Sequence, residues 1–413
     1  MKYGCIGYPL THSYSREIHA AIGSYPYELC QIKKEDLGAF FEKRDFLGIN
    51  VTIPYKREVM KYLDEIDSSA LAVGAVNTVV NRGGKLCGYN TDVYGMTKLL
   101  CSSGVDIAGK KVIILGTGGT SRAAIAAAQG LMAASVMRVS RTAREGAIDY
   151  DELYRMGADG AVIINTTPVG MYPAHTDAPV DLTRLGTPAL VADAVYNPVR
   201  TELILTAEEL GIPALGGLFM LAAQGVRASE LFFDTEYQSG TAERVYRAVL
   251  AGKECITLIG MPSCGKSTVG MRLAEALGRK LIDTDALVEK RCGMTAERVI
   301  RECGIDSFRK AESECTSDIA TETAAVIATG GGTVLDRGNV RALKKNGRLI
   351  FIDTPPGMLT PTCDRPLSST ASDMMRLYNE RHGLYLTVCD EVADGSCGTD
   401  AVYERILKQY SES

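Results

Sequence analysis

The sequence predicts an α/β chain whose sheets are largely parallel, and three observations carry that prediction. Between residues 111 and 215, short β-branched runs (112–115, 136–139, 162–164 and 190–192) alternate with stretches of helical spacing such as 121–132. That alternation is the signature of a doubly wound sheet. A glycine turn, Gly116-Thr117-Gly118-Gly119-Thr120-Ser121, follows the first of these runs and opens its helix. A different glycine loop, Gly260 to Thr268, lies between the apolar run 255–259 and the helix-like stretch 268–277.

Residues 1–100 mix strands, at 3–7 and 48–53, with helices, and carry short polar motifs in place of a dinucleotide loop. Ser13, Ser15, Thr52, Asn77, Asn90 and Asp92 stand among apolar strand ends. They supply the donors and acceptors that a small polyhydroxylated ligand demands, although Ser, Asn and Asp also serve as helix caps and turn residues. This segment, with part of 218–252, is expected to form a substrate lobe.

Residues 101–252 are expected to form a Rossmann-type dinucleotide-binding domain. The turn at Gly116, Thr117, Gly118, Gly119 and Thr120 has the strand–turn–helix setting that places a pyrophosphate at a helix N-terminus. Ser121 replaces the third glycine of the fingerprint but stays small enough for close packing. At the end of the second strand, where a ribose 2′-hydroxyl would meet an acid, no Asp or Glu occurs between Ser135 and Arg144. Ser140, Arg141, Thr142 and Arg144 stand there instead and suit a 2′-phosphate, which favours NADPH. Read alone, the two arginines could equally be solvated surface charges.

No Pro/Ser-rich tether marks the boundary near residue 252, and the roughly 160 residues from 253 to 413 suit one compact domain. The loop there fits the phosphate-cradling pattern G-x-x-x-x-G-K-[ST]. Gly260, Cys264, Gly265 and Thr268 belong to the cradle, Lys266 neutralises outer phosphates, and Ser267 can ligate Mg²⁺. Asp283 and Asp285 are expected at the end of a short strand, one for the metal and the other for an acceptor hydroxyl; a pair of solvated turn aspartates is the alternative.

The formal net charge of -5 over 413 residues and the lack of a long Lys/Arg cluster argue against nucleic acid as a partner. No apolar run approaches membrane-spanning length, and the first strand starts almost at Met1. A cytoplasmic enzyme of small molecules is expected, monomer or homodimer. The 12 cysteines show no C-x-x-C pair and only 4 histidines accompany them, so neither zinc nor a disulfide framework is suggested.

Residues 1–250 resemble shikimate dehydrogenase through several spaced motifs: Gly7-Tyr-Pro-Leu-Thr-His12-Ser13-Tyr-Ser15, Asn50-Val-Thr52-Ile-Pro-Tyr-Lys56, Gly74-Ala-Val-Asn77-Thr, Gly88-Tyr-Asn90-Thr-Asp92, the glycine turn, Asn165-Thr-Thr-Pro-Val-Gly-Met171, Asp193-Ala194-Val-Tyr196-Asn-Pro198, and Gly217 to Gln224. The resemblance implies Lys56 and Asp92 as the catalytic pair and Ser13 and Ser15 on a ring carboxylate. Thr52, Asn77, Asn90 and Gln224 would take ring hydroxyls, Tyr196 would join the pocket, and Ala194 and Gly217 would approach the nicotinamide. Arg16 and Ser140 depart from the family's usual proline and asparagine, and no Trp follows Phe233.

The C-terminal half resembles shikimate kinase over its whole length, through the P-loop, Asp283-Thr-Asp285, Phe308-Arg309-Lys-Ala-Glu312, Gly330-Gly331-Gly332, Arg365-Pro-Leu and Arg381-His-Gly-Leu-Tyr385. This resemblance implies Asp285 at the acceptor hydroxyl, Arg309 and Arg381 on the carboxylate, Gly331 at the ring, Arg365 in a lid over ATP and Asp283 near Mg²⁺. Ser263 replaces a commoner glycine, and the lid segment 355–364 is short. The expected whole is a bifunctional enzyme that reduces 3-dehydroshikimate with NADPH and phosphorylates shikimate with MgATP. Two alternatives are an NAD-linked quinate or shikimate oxidase in the first half, and a degenerate nucleotide-sensing module in the second.

Overall fold

Sixteen strands form three sheets among the described residues, which in this computed structural model are 1–10, 13–143, 146–361 and 369–411. The chain divides into two compact units, Met1–Val249 and Leu250–Ser413.

The first unit holds two sheets. Strands β1 (Tyr3–Gly7), β2 (Glu28–Gln31), β3 (Gly48–Val51), β4 (Glu65–Ile66), β5 (Thr78–Arg82) and β6 (Lys85–Tyr89) assemble in the order β2-β1-β3-β5-β6-β4. β1 pairs in parallel with β2 and β3, whereas β5 runs antiparallel to β3 and β6, so this sheet is mixed. Ile6, Phe41, Ile49, Val79 and Leu86 share its core. The second sheet is wholly parallel: β7 (Lys111–Leu115), β8 (Ser135–Val139), β9 (Val162–Asn165), β10 (Leu190–Asp193) and β11 (Ala214–Leu215) lie in the order β11-β10-β9-β7-β8. β9 and β10 are buried along their whole length, as apolar strands covered on both faces must be. The order reverses between β7 and β9, and such a switch point opens a crevice at the strands' carboxyl ends.

In the second unit, β12 (Cys255–Ile259), β13 (Leu281–Asp283), β14 (Val326–Ala328), β15 (Gly347–Asp353) and β16 (Glu391–Asp394) form a parallel sheet ordered β13-β14-β12-β15-β16. Ile256, Leu258, Leu273, Phe351 and Tyr385 lie in its core. The α/β class and the parallel sheets expected from the sequence are both present.

Three local expectations need correction. The strand predicted over 48–53 stops at Val51, where the chain turns and the Tyr55 N–H donates to the Thr52 carbonyl, 2.9 Å. The boundary expected near residue 252 falls inside a helix, Thr241–Lys253; the Glu254 N–H still donates to the Leu250 carbonyl, 2.7 Å, and glycine's propensity penalty of about 1 kcal/mol does not stop a packed helix. Asp285 is not a strand residue. The strand ends at Asp283, whose carboxylate caps the helix Thr284–Cys292 by accepting the N–H groups of Asp285 and Ala286 at 3.0 and 3.3 Å. No helix among the described residues is long and apolar enough to cross a membrane.

Candidate functional site

The first unit contains a cleft of about 320 Å³. The chain enters it where β1 ends: Ser13 donates to Ser15 Oγ at 3.0 Å, and Ser15 opens the helix Ser15–Ile22. Just past β3 come Thr52 and Lys56, and Asp92 opens the helix Asp92–Ser102, whose N-terminus favours a negative charge. Lys56 Nζ and Asp92 Oδ2 form an ion pair at 2.5 Å, with side chains 27% and 13% exposed. Asn77 Nδ2 donates to Asp92 Oδ1 at 2.9 Å, while its own oxygen accepts the Thr91 N–H at 2.8 Å. Gln224 accepts from Thr91 Oγ1 at 3.1 Å. Ser13, Ser15, Thr52, Lys56, Asn77, Asp92, Tyr196 and Gln224 all line the cleft, and Thr120, Ala194 and Gly217 extend it to the dinucleotide turn.

Asn90 does not line it. Its amide is committed within the lobe, donating to the Ala75 carbonyl at 2.8 Å and accepting the Asp92 N–H at 3.0 Å, so it fixes the turn that presents Asp92.

The dinucleotide turn leaves the end of β7. Gly116 has φ +107, a conformation side chains rarely adopt, and an added Cβ would press on Thr166 Oγ1 at 2.9 Å. A Cβ on Gly118 or Gly119 would meet no described atom within 4 Å, so the start of the helix Gly119–Gly130 is open to a ligand's approach. Thr117 is exposed beside it. Gly217 packs its Cα against the Ala194 carbonyl, with no room for a side chain. Ser140, Arg141 and Thr142 follow β8; Ser140 Oγ donates to the Thr142 carbonyl and Arg141 is exposed. Arg144 lies outside the described residues, as does His12 of the first motif.

Two side chains that matter here were missed as site residues by the sequence reading. Asn50 lines the cleft, accepting from Tyr27 Oη at 2.7 Å and facing His19 Nε2 at 3.2 Å. Burial pulls the His19 imidazole down to about 3, so the ring is neutral and the nitrogen facing the carboxamide oxygen carries the hydrogen. Strand alternation was the available signal, since Asn50 and Thr52 share a face. Asp193, at the end of β10, is fully buried and accepts from Asn165 Nδ2 (2.9 Å), the Val195 N–H (2.9 Å) and Thr201 Oγ1 (2.7 Å). Burial raises its carboxyl to about 7 even against those three donors. It ties the end of β9 to the Ala194–Tyr196 wall.

In the second unit the loop after β12 turns through Gly260 (φ +147) and Gly265 (φ +92). Ser263 between them is left-handed at φ +62, the region where glycine costs nothing and serine is strained. Lys266 is buried and donates to the carbonyls of Gly260 (3.0 Å) and Met261 (2.8 Å), with Cys264 Sγ at 3.7 Å. Ser267 Oγ donates to Asp283 Oδ2 at 3.0 Å, so the two oxygens suited to a hard cation are adjacent. Thr268 follows in the first turn of the helix Lys266–Leu277.

Facing the loop, a Cβ on Gly330 would lie 2.5 Å from Asp285 Oδ1, and one on Gly331 would meet Pro262 at 2.9 Å. Arg309 Nη1 pairs with the buried Glu312 at 2.6 Å, and Arg309 also lies against the backbone of Gly332. Arg381 Nη1 donates to the Gly331 carbonyl at 3.1 Å. Burial, with Arg309 nearby, pulls the Arg381 guanidinium below its usual range, and among the described residues its buried Nε finds no partner. An orphaned donor beside a second arginine calls for an anion. Arg365 lies outside the described residues.

Fold and sites together define a two-part α/β enzyme, an oxidoreductase unit of Rossmann type followed by a P-loop phosphotransferase unit. The family model for the shikimate dehydrogenase substrate binding domain matches residues 5–79, and that for shikimate kinase matches residues 262–411. A shikimate dehydrogenase (NADP(+)) of Clostridium perfringens is 36% identical over 262 residues, covering 59% of this chain and 96% of its own. The solved shikimate dehydrogenase 1 of Peptoclostridium difficile is 33% identical with a TM-score of 0.55, over 60% of this chain and 98% of that one. A solved chorismate mutase/shikimate 5-dehydrogenase fusion protein of Clostridium acetobutylicum is 35% identical with a TM-score of 0.57, over 60% and 96%. The chain belongs to the shikimate dehydrogenase family over about three-fifths of its length and carries a shikimate kinase domain at its C-terminus, which makes it a bifunctional enzyme of the shikimate pathway.

Proposed function

We propose that the first unit reduces 3-dehydroshikimate to shikimate with NADPH and that the second phosphorylates shikimate at its 3-hydroxyl with MgATP. The observation that carries the reading is the Lys56–Asp92 ion pair at the end of a polar cleft that reaches Thr120 of the dinucleotide turn. When bound, the dinucleotide supplies the hydride and the metal nucleotide the phosphoryl group.

In the first site the Lys56 ammonium neutralises the charge that develops on the ketone oxygen and delivers a proton to it, while Asp92, held by Asn77, keeps the ammonium aimed. Ser13 and Ser15 hold the ring carboxylate, and Thr52, Asn77, Gln224 and Tyr196 hold the ring, with Asn90 fixing the Asp92 turn. Open backbone at Gly118 and Gly119 suits a pyrophosphate, and Arg141 a 2′-phosphate. In the second site Asp285 takes the proton from the attacking hydroxyl, Arg309 and Arg381 fix the carboxylate beside Gly331, Ser267 and Asp283 hold the cation, and Lys266 and Arg365 spread charge from the reacting phosphates.

The purified full chain decides the matter when NADPH loss, NADH loss and ADP release are followed separately. Lys56→Ala is expected to lower reduction at least about 100-fold and leave phosphorylation unchanged, and Lys266→Ala to do the reverse. A chain that leaves shikimate and its keto precursor unchanged with both nucleotides present, or prefers NADH, refutes the reading.

A further inference from the structure

One residue of the dinucleotide-binding helix bonds to the segment that leads into the Lys56–Asp92 pair. Arg122 lies in the first turn of the helix Gly119–Gly130, directly behind the open glycines, and is half-buried. Its Nη1 donates at 3.1 Å to the carbonyl of Val73, the last residue of the helix Ser68–Val73. Terminal carbonyls lack partners within a helix, and a cation there is favourable. The next residue, Gly74, makes the approach practicable: it has φ +65, and an added Cβ would stand 2.9 Å from that nitrogen.

The segment that Arg122 grips then runs straight into the catalytic pair. The Ala75 carbonyl accepts from Asn90, which also holds the Asp92 N–H. The Val76 N–H donates to the Lys56 carbonyl at 2.7 Å. Asn77 donates to the Asp92 carboxylate at 2.9 Å. From Val73 to Asn77, therefore, one short stretch bonds to the dinucleotide helix at one end and, along the rest, to the Lys56 carbonyl, the Asn90 amide and the Asp92 carboxylate.

We infer that Arg122 is a positioning residue that couples the dinucleotide-binding helix to the Lys56–Asp92 pair through residues 73–77, so that dinucleotide and substrate each tighten the other's binding. The inference rests on the reading of the first unit proposed above. Because such coupling is reciprocal, one thermodynamic square measures it: titration of the full chain with NADP⁺ alone, shikimate alone, and each in the presence of the other.

The wild-type chain is expected to show a coupling factor of about fivefold or more, at the low end of the usual range. Arg122→Met keeps the stem but removes the donors. It is expected to bring the factor to within about twofold of one while each binary affinity stays within about twofold, less than half a decade in binding. Arg122→Lys, which retains the charge at the helix end, is expected to recover part of the coupling. Wild-type coupling retained in Arg122→Met overturns the inference, as does a wild type without coupling. So does a binary NADP⁺ affinity that falls as far as the ternary one, since Arg122 would then be a plain cofactor contact. A wild-type chain that binds neither ligand instead defeats the underlying assignment of the unit, a result distinguishable from all of these.

Discussion

Replacing Asp193 by asparagine removes a titration while nearly conserving volume, and the pH dependence of the first unit is expected to change with it. The carboxyl is fully buried at the end of β10 and its proton is held up to about 7, against an ordinary value of 3.8. Because the folded value lies above the unfolded one, the native chain keeps a proton that the unfolded chain releases. The resulting stabilisation is fully present below about pH 4 and is lost as the pH rises towards 7. At roughly 1.4 kcal/mol per pH unit over this shift, the loss amounts to at most about 4 kcal/mol. Asp193→Asn mimics the protonated acid: its carboxamide oxygen can accept from Asn165 and Val195, and its NH₂ can donate to the Thr201 hydroxyl, which rotates to accept. The variant is therefore expected to gain stability relative to wild type between pH 5 and pH 7.5. Amide hydrogen exchange in peptides covering β9 and β10, corrected for intrinsic rates, reads that difference in the intact chain. Wild type and variant differing by the same amount at both pH values, to within about 0.5 kcal/mol, would refute the buried-proton account.

Two further outcomes bear on the second unit. Arg381→Met is expected to raise the KM for shikimate in phosphorylation about 10- to 100-fold, the worth of a charge-assisted hydrogen bond, with reduction unchanged; separate steady-state assays of the two activities check it. Ser263→Gly is expected to leave the KM for MgATP unchanged or improved, because φ +62 suits glycine, whereas Ser263→Val is expected to cost about 1–2 kcal/mol in the stability of the second unit, read by thermal unfolding of both variants.

The sheets were legible because their strands are short β-branched runs set between glycine turns, and both nucleotide loops announce themselves within ten residues. Contacts that depend on distant pairing were not. Nothing local marks Asp193 as the acceptor for Asn165 and Thr201, 28 and 8 residues away. Asn90 looked like a ligand residue because its motif is polar, yet both ends of its amide are occupied by backbone. The sequence places both Asp283 and Asp285 at a strand end, yet side-chain capping, which competes with strand extension wherever Asp precedes a helix-forming run, puts the second of them in a helix. Arg122 was hidden in the same way, since its importance lies in a carbonyl 49 positions earlier in the chain.

The resting posture of Lys266 shapes what the phosphate loop will hold. Its ammonium is satisfied by two carbonyls of its own turn, so an incoming anion gains only the difference between its own attraction and the bonds it displaces. A lone inorganic phosphate offers little surplus over that exchange, whereas on the proposed reading of the second unit a cation-bound polyphosphate would engage several groups at once. Selection among the many phosphorylated solutes around the protein thus begins with a self-quenched charge.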